Sequence, residues 1–189
     1  MIHPHLSALT IDIFTILCLI GITFFVYIGW IDMTTQKIRN KTLLYLLPFT
    51  VIHLFFPPPI GAGTSLALWS ASIIQPLILF ALLFIGYTIK TMGAGDAKYG
   101  FIIGLWLSPH SIIEFIMISA ILTLLVLGPM VIFQRICSTD KYLQWASKYP
   151  RLLLIRDKKV FCAYGPFMSC AAIYITLKWL YAVKTGQSF

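Results

Sequence analysis

One short stretch of this chain, Met92-Gly93-Ala94-Gly95-Asp96-Ala97-Lys98, has an unusual arrangement of residues. It places an acid behind two glycines, between two long apolar segments. An ionisable side chain at membrane depth is unfavourable and usually has a function, so Asp96 is a candidate functional residue. Glycine lets backbone or substrate approach where a side chain would block it. Gly93 and Gly95 are therefore candidates for support of the same site.

The composition predicts a membrane protein. The chain has 189 residues, of which 59% are hydrophobic and 11% are charged, with a mean hydropathy of +0.90. A soluble domain carries about 25% charged residues, so this chain has too little polar surface to face water. We expect an all-α polytopic protein that forms a single transmembrane domain over residues 1–189.

Six apolar segments predict six transmembrane helices: Ser7–Ile31, Thr42–Phe56, Leu66–Ile89, Asp96–Leu107, Ser111–Phe133 and Phe161–Ala182. The fourth segment is too short to cross alone, because its helix would cover about 18 Å of a hydrocarbon core about 30 Å thick. Either this helix continues past Pro109, or Asp96 lies below the membrane surface.

The basic residues predict the orientation. Twelve of the fourteen Lys and Arg residues lie on one side of a six-span arrangement: eleven in the three loops after the first, third and fifth segments, and Lys98 near the start of the fourth segment. By the positive-inside rule these loops are cytoplasmic and both termini are outside, in the inner or cytoplasmic membrane. Membrane orientation explains the distribution of basic residues better than nucleic-acid binding does, so we expect the lipid bilayer and not nucleic acid as a partner.

Six acidic residues occur in the chain: Asp12, Asp32, Asp96, Glu114, Asp140 and Asp157. Asp140 and Asp157 fall in the large basic loop and are expected to be solvated. Asp12 and Glu114 fall near the outer ends of spans one and five, where a structural role is expected. Asp32 begins the first polar loop and Asp96 begins the fourth span, so both lie at cytoplasmic helix ends and folding can bring them together.

Two close carboxylates have a distinctive chemistry. They cannot both ionise without strong repulsion, so one keeps a proton and the pair titrates as a unit. In an aspartic protease one carboxylate takes a proton from water and the other donates to the peptide carbonyl. A structural alternative stays open, in which Asp96 caps a helix N-terminus and Asp32 is an interfacial acid beside Lys37.

No metal site and no cofactor are expected. The four cysteines, Cys18, Cys137, Cys162 and Cys170, contain no C-x-x-C pair, and free structural thiols are the interpretation we favour. His53 and His110 stand alone without ligand partners at metal spacing, which favours packing or hydrogen bonding.

The glycine-acid stretch resembles a known motif. Gly93-Ala94-Gly95-Asp96-Ala97-Lys98 is similar to the G-x-G-D-x-K motif of the type IV prepilin peptidases, membrane aspartic proteases of the GxGD class. Asp32 with Ile38-Arg39-Asn40 resembles the family's first motif, an Asp followed at this spacing by Ile-Pro-Asn. Tyr164-Gly165-Pro166-Phe167-Met168 resembles the family's final-helix segment with its G-P-F core. The three matches keep the family's order along about the whole chain.

The resemblance implies a peptidase that removes the short basic leader from prepilins or pseudopilins at the cytoplasmic face. It carries Asp32 and Asp96 over as the catalytic pair. Gly93, Gly95 and Lys98 carry over as motif positions that support the site.

Two departures qualify the resemblance. Arg39 stands where the family usually has proline, which puts the local turn in question. Longer family members carry an N-terminal cytoplasmic segment, often with two C-x-x-C pairs, and methylate the new pilin N-terminus. This chain resembles the short, peptidase-only members, so no methyl transfer is expected.

Two rivals belong to other classes. A small transporter or channel can use Asp32 and Asp96 for protons or cations, since intramembrane acids and glycine-interrupted helices occur there too. Transporter acids usually lie near the bilayer midplane, whereas these acids are predicted at one face. A non-catalytic assembly component of a secretion or pilus system would have no need for the acid pair.

Overall fold

A computed structural model describes residues 4–35, 37–55, 65–89, 92–107, 111–136, 144, 153–156, 159–162 and 164–185 of the chain. Its six long helices are α1 Pro4–Thr35, α2 Asn40–Phe55, α3 Ser65–Thr88, α4 Ala94–Trp106, α5 Ser111–Ile136 and α6 Gly165–Thr185. Two short strands, β1 Leu153–Arg156 and β2 Lys159–Cys162, pair as an antiparallel hairpin. The helical fold is confirmed, and the hairpin adds to the predicted all-α class.

The first helix is longer than predicted. It continues through Asp32 to Thr35, so Asp32 lies in the last turns of α1 and not in a loop. The Thr34 and Thr35 hydroxyls donate to the carbonyls of Trp30 and Ile31 at 3.0 and 2.9 Å. Because these polar side chains bond within their own helix, a polar sequence can continue it.

The last helix begins later than predicted. Phe161 does not open it, because Phe161 pairs with Leu154 in the hairpin. The helix begins at Gly165, and Pro166 occupies its first turn. Proline suits the first turn, where its missing N–H removes no internal hydrogen bond.

The fourth helix is short. It ends at Trp106, where the amide of the extended residue Leu107 donates to the Ile103 carbonyl at 2.8 Å. Its 13 residues cover about 20 Å. Of the two alternatives for this segment, a helix that continues past Pro109 is therefore wrong, although Pro109 itself lies outside the described residues.

Two helical segments within the described residues are long and apolar enough to cross a membrane, Thr10–Thr35 and Gly165–Thr185. Two further apolar segments, Ile73–Thr88 and Ser111–Val126, are shorter. The count of six spans stays a prediction.

Side-chain contacts give the relative directions of neighbouring helices. In α4, a Cβ on Gly100 would collide with Leu83 of α3, and a Cβ on Gly104 would lie 2.7 Å from Cα of Pro76. As the residue number increases along α4, the number of the contacted residue in α3 decreases, so the two helices are antiparallel. The absence of side chains at both glycines allows this close packing.

Helices α4 and α6 run parallel. Tyr99 Oη lies 2.8 Å from Ser169 Oγ, and the Trp106 indole N–H donates to Thr176 Oγ1 at 3.3 Å. The second bond lies seven residues after the first on both helices. Seven residues are about two helical turns, so both bonds use the same pair of facing surfaces.

The end of α1 and the starts of α2, α4 and α6 lie together. Helix α1 is antiparallel to α2, since Phe14 contacts His53 and Phe24 contacts Phe49. It is also antiparallel to α6, since Gly29 lies against Ser169 and Asp32 further along α1 contacts Gly165 at the start of α6. We call this end of the bundle the site end.

An aromatic cluster fills the core away from the site end. The His53 ring stacks on Trp106 with centroids 4.1 Å apart and lies 6.0 Å from Trp179. Phe25 meets Trp106 edge-on at 5.7 Å. His53 is buried in this cluster, as the packing interpretation predicts. His110 lies outside the described residues, which contain no cluster of three metal-ligating side chains.

Candidate active site

Asp32 is held by the first residue of α6. Its carboxyl is 4% exposed, and Oδ2 accepts a hydrogen bond from the Gly165 amide at 3.0 Å. A Cβ on Gly165 would lie 2.5 Å from the same oxygen and 3.0 Å from Cγ. Glycine is therefore needed for the backbone of α6 to approach this carboxyl so closely.

Asp96 lies in the first turn of α4. The Gly93 amide donates to Asp96 Oδ2 at 3.0 Å, and the Asp96 amide donates to the Gly93 carbonyl at 3.1 Å. Gly93 is the N-cap residue and Asp96 is the third residue of the helix, so Asp96 does not hold the N-cap position that its structural interpretation expects, although its side chain does satisfy the N-cap amide. Among the described residues, the hydrogen bond to this carboxyl engages Oδ2.

The structure brings the two acids together. Asp32 and Asp96 are close enough for their charges to interact, and both side chains are buried. Among the described residues neither carboxyl is paired with a lysine or an arginine. Asp32 therefore meets Asp96 and the Gly165 amide, and not Lys37 as its structural alternative expects.

Two opposing features act on the Asp96 charge. The side chain is buried, which disfavours a charge. The Gly93 amide donates to the carboxyl at 3.0 Å, and the N-terminus of α4 favours a negative charge at this position.

The remaining motif positions connect the acids to the start of α2. A Cβ on Gly95 would lie 3.2 Å from Ile38 Cβ, so the glycine allows the segment before α2 to pack on the start of α4. A Cβ on Gly93 would lie 3.3 Å from Asp96 Oδ2. Lys98 Nζ donates to Asn40 Oδ1 at 3.2 Å, which joins α4 to the first residue of α2.

The turn before α2 forms without the family's proline. The Arg39 carbonyl accepts hydrogen bonds from the Thr42 and Leu43 amides at 3.0 and 3.4 Å. Helix α2 therefore begins directly after Arg39, and Asn40 is placed to meet Lys98. The first turn of α2 therefore forms with arginine, and not proline, at position 39.

Sequence reasoning did not name Gly165, Tyr99 or Ser169 as site residues. Gly165 carried a signal, since it belongs to the Gly-Pro-Phe segment that resembles the family's final helix. Tyr99 lies one turn after Asp96, and its buried hydroxyl meets Ser169 of α6. Helical spacing places Tyr99 near Asp96, but no local pattern indicates the contact with Ser169.

The other acids lie apart from this site. Glu114 Oε1 accepts from Lys178 Nζ at 2.9 Å, which links α5 to α6 and agrees with the structural role expected for Glu114. Asp12 is exposed near the opposite end of α1. Asp140 and Asp157 lie outside the described residues.

Two of the four cysteines can be assessed. Cys18 is buried and Cys170 is exposed, and both are free thiols. Cys137 lies outside the described residues, and the structure describes only the backbone of Cys162, in β2.

Two buried carboxyls at one end of an apolar helical bundle, free of cationic partners in the described part of the chain, have the arrangement of an acid–base hydrolase site. The model of the type IV leader peptidase family matches residues 19–128, more than half of the chain, including Asp32 and Asp96. The chain belongs to the type IV leader peptidase family and is a peptidase. No curated protein and no solved structure matches the chain.

Proposed function

We propose that the chain is a membrane aspartic endopeptidase that removes the short N-terminal leader of type IV prepilins or pseudopilins. Asp32 and Asp96 act as the catalytic pair and activate one water molecule. Gly93, Gly95 and Lys98 support the site by holding the starts of α4 and α2 together. The observation that carries this proposal is the approach of two buried carboxyls, each of which accepts a hydrogen bond from a backbone amide at Oδ2.

The reaction follows from one shared proton. The ionised carboxylate takes a proton from water as the water oxygen bonds to the scissile carbonyl carbon. The protonated carboxyl gives its proton to the carbonyl oxygen, which forms a tetrahedral intermediate. When the C–N bond breaks, the carboxyl proton passes to the leaving amine. One hydroxyl of the intermediate gives its proton to a carboxylate of the pair as the C=O bond forms again, so the pair again holds one proton. Each such general acid–base contribution is worth about 10²–10⁴-fold in rate.

The membrane placement belongs to the same proposal. Residues 1–189 form one domain of six spans, and the site end faces the cytoplasm. Lys98 and Arg135 lie on α4 and α5 and not in loops, but both are close to the cytoplasmic ends of those helices. A substrate with a cytoplasmic leader and a membrane-embedded apolar helix would present its scissile bond at this depth.

The position of the acids disfavours the transporter alternative. Asp32 lies in the last turns of α1, and Asp96 lies in the first turn of α4. Both are therefore at one end of the bundle, whereas transporter sites usually lie near the bilayer midplane.

Cleavage of a co-expressed prepilin tests the proposal directly. Wild type, Asp32→Asn and Asp96→Asn are compared by the mobility of the prepilin on a gel, with membrane levels of each variant measured in parallel. Asparagine keeps the size and accepts the same amide hydrogen bond, but it cannot cycle a proton. We expect processing to disappear in both variants at normal membrane levels.

Matched controls are Asp12→Asn and Glu114→Gln, which neutralise acids away from the site. Both should process the prepilin as wild type does. Processing retained in Asp32→Asn or Asp96→Asn would remove that residue from the mechanism and reopen the transporter alternative.

The orientation is tested by labelling single cysteines with a membrane-impermeant thiol reagent in intact cells, in a background without native cysteines. The two variants are Lys41→Cys and Thr185→Cys, whose positions lie at opposite ends of the bundle. We expect labelling at position 185 and protection at position 41. The reverse result would place the site on the outer face.

A further inference from the structure

A pair of hydroxyl groups lies one helical turn beneath the two acids. Tyr99 follows Asp96 by three residues on α4, and Ser169 follows Gly165 by four residues on α6. Their oxygens are 2.8 Å apart, and either can be the donor. Both side chains are at most 2% exposed, so neither hydroxyl has access to solvent.

Helix α1 packs against the Tyr99–Ser169 pair. Gly29 lies one turn before Asp32, and a Cβ on it would lie 3.1 Å from both Cβ and Oγ of Ser169. The close approach of α1 sets the position of the Ser169 hydroxyl. Helices α1, α4 and α6 therefore meet twice. They meet at residues 32, 96 and 165, and again one turn deeper at residues 29, 99 and 169.

The pair has one more proton than its own hydrogen bond uses. Two hydroxyl groups carry two protons, and the bond between them consumes one. Within the described residues the second proton has no other acceptor, and Asp32 is near enough to act electrostatically on Tyr99. A hydroxyl dipole in a buried site acts strongly on a nearby charge, because little water screens it.

The ionisable groups that face this pair come from three helices. Asp32 acts electrostatically on Tyr99 from α1 and Cys170 does so from α6. Asp96 precedes Tyr99 by three residues on α4. In the described part of the chain no lysine, arginine or histidine acts on Tyr99. Among the described residues beneath the two acids, the Tyr99 and Ser169 hydroxyls can therefore favour a negative charge on the carboxyls.

We propose that Tyr99 and Ser169 are positioning residues that orient hydroxyl dipoles toward the acid pair and so favour its singly ionised, water-activating state. This inference rests on the proposed function of Asp32 and Asp96. Neither residue is placed in contact with substrate, because both lie beneath the carboxyls.

The test measures pH profiles of prepilin cleavage by detergent-purified wild type, Tyr99→Phe and Ser169→Ala. Without a hydroxyl dipole the single negative charge is less favourable, so a higher pH is needed to form it. We expect the acid limb of the kcat profile to move up by about one pH unit, which is about a tenfold loss of kcat at a pH on that limb. KM should stay within about twofold, since substrate contacts are unchanged.

Thr176→Val is the matched control. It removes a hydroxyl from the other hydrogen bond between α4 and α6, seven residues further from the acids. If Tyr99 and Ser169 only hold the helices together, Thr176→Val should change the pH profile as much as Tyr99→Phe does. Profiles of both site variants that match wild type or Thr176→Val would overturn the inference.

A second readout does not depend on cleavage. The infrared band of the protonated carboxyls is titrated in wild type, Tyr99→Phe, Ser169→Ala and Thr176→Val. The midpoint should rise in the first two variants and stay at the wild-type value in Thr176→Val, and an unchanged midpoint in both site variants would refute the inference. Failure of the proposed function would give a separate result. Asp32→Asn or Asp96→Asn would then still cleave prepilin, whatever the midpoints of the infrared titrations.

Discussion

The amide of Gly165 donates a hydrogen bond of 3.0 Å to Oδ2 of Asp32, across 133 residues of sequence. This bond joins the last turns of α1 to the first residue of α6. It fixes one carboxyl oxygen from the backbone, so the orientation of Asp32 does not depend on another flexible side chain. The same relationship requires glycine at position 165, because a Cβ would lie 2.5 Å from that oxygen.

Gly165→Ala should therefore inactivate the enzyme without unfolding it. The new methyl group must push the Asp32 carboxyl away, and a displacement of about 1 Å in a catalytic group lowers the rate by about 10²-fold. The measurement is initial-rate cleavage of prepilin by purified protein. Gly128→Ala is the control, since a Cβ there would meet its nearest neighbour only at 4.0 Å. Equal rates for the two variants would show that the approach of α6 to Asp32 is unimportant.

The Lys98–Asn40 hydrogen bond should contribute modestly to stability. It is 3.2 Å long and exposed, so its loss should lower the free energy of unfolding by about 1 kcal/mol or less. Lys98→Ala, Asn40→Ala and the double variant are compared by thermal unfolding, with exposed Lys41→Ala as control. Because both residues serve one bond, the double variant should lose no more than either single variant. Additive losses would show that the two side chains act separately.

The Glu114–Lys178 ion pair should matter for stability and not for cleavage. Its side chains are about one-third exposed, and such pairs are worth about 1 kcal/mol or less. Glu114→Gln and Lys178→Met should each lower Tm by a few degrees, whereas exposed Lys184→Met should not. Prepilin processing by Glu114→Gln should equal that of wild type. Loss of processing at normal protein levels would give this acid a catalytic role.

The sequence predicts much of the fold and some of the site. Asp96 could be placed at the start of a helix because glycines precede it and an apolar run follows. The extent of α1 could not, since Thr34 and Thr35 continue the helix by bonding its own carbonyls. The hairpin at 153–162 could not either, because its residues form a basic segment that the charge pattern assigns to a loop.

The contacts within the site need the tertiary structure. The bond from Gly165 to Asp32 and the contact of Tyr99 with Ser169 join residues 133 and 70 positions apart. Local periodicity describes which face of a helix is apolar, but it does not determine which residue of another helix meets that face. A motif resemblance indicated Gly165, and nothing in the local sequence indicated Ser169.

The two hydrogen bonds between α4 and α6 have a consequence for how the protein can evolve. Deletion of one residue between Tyr99 and Trp106 would turn Trp106 by about 100° and shorten its reach along the axis. Its indole would then point away from Thr176 while Tyr99 still faced Ser169. These two helices should therefore accept changes of side chain more readily than changes of length, and viable insertions should fall in the segments that connect the helices.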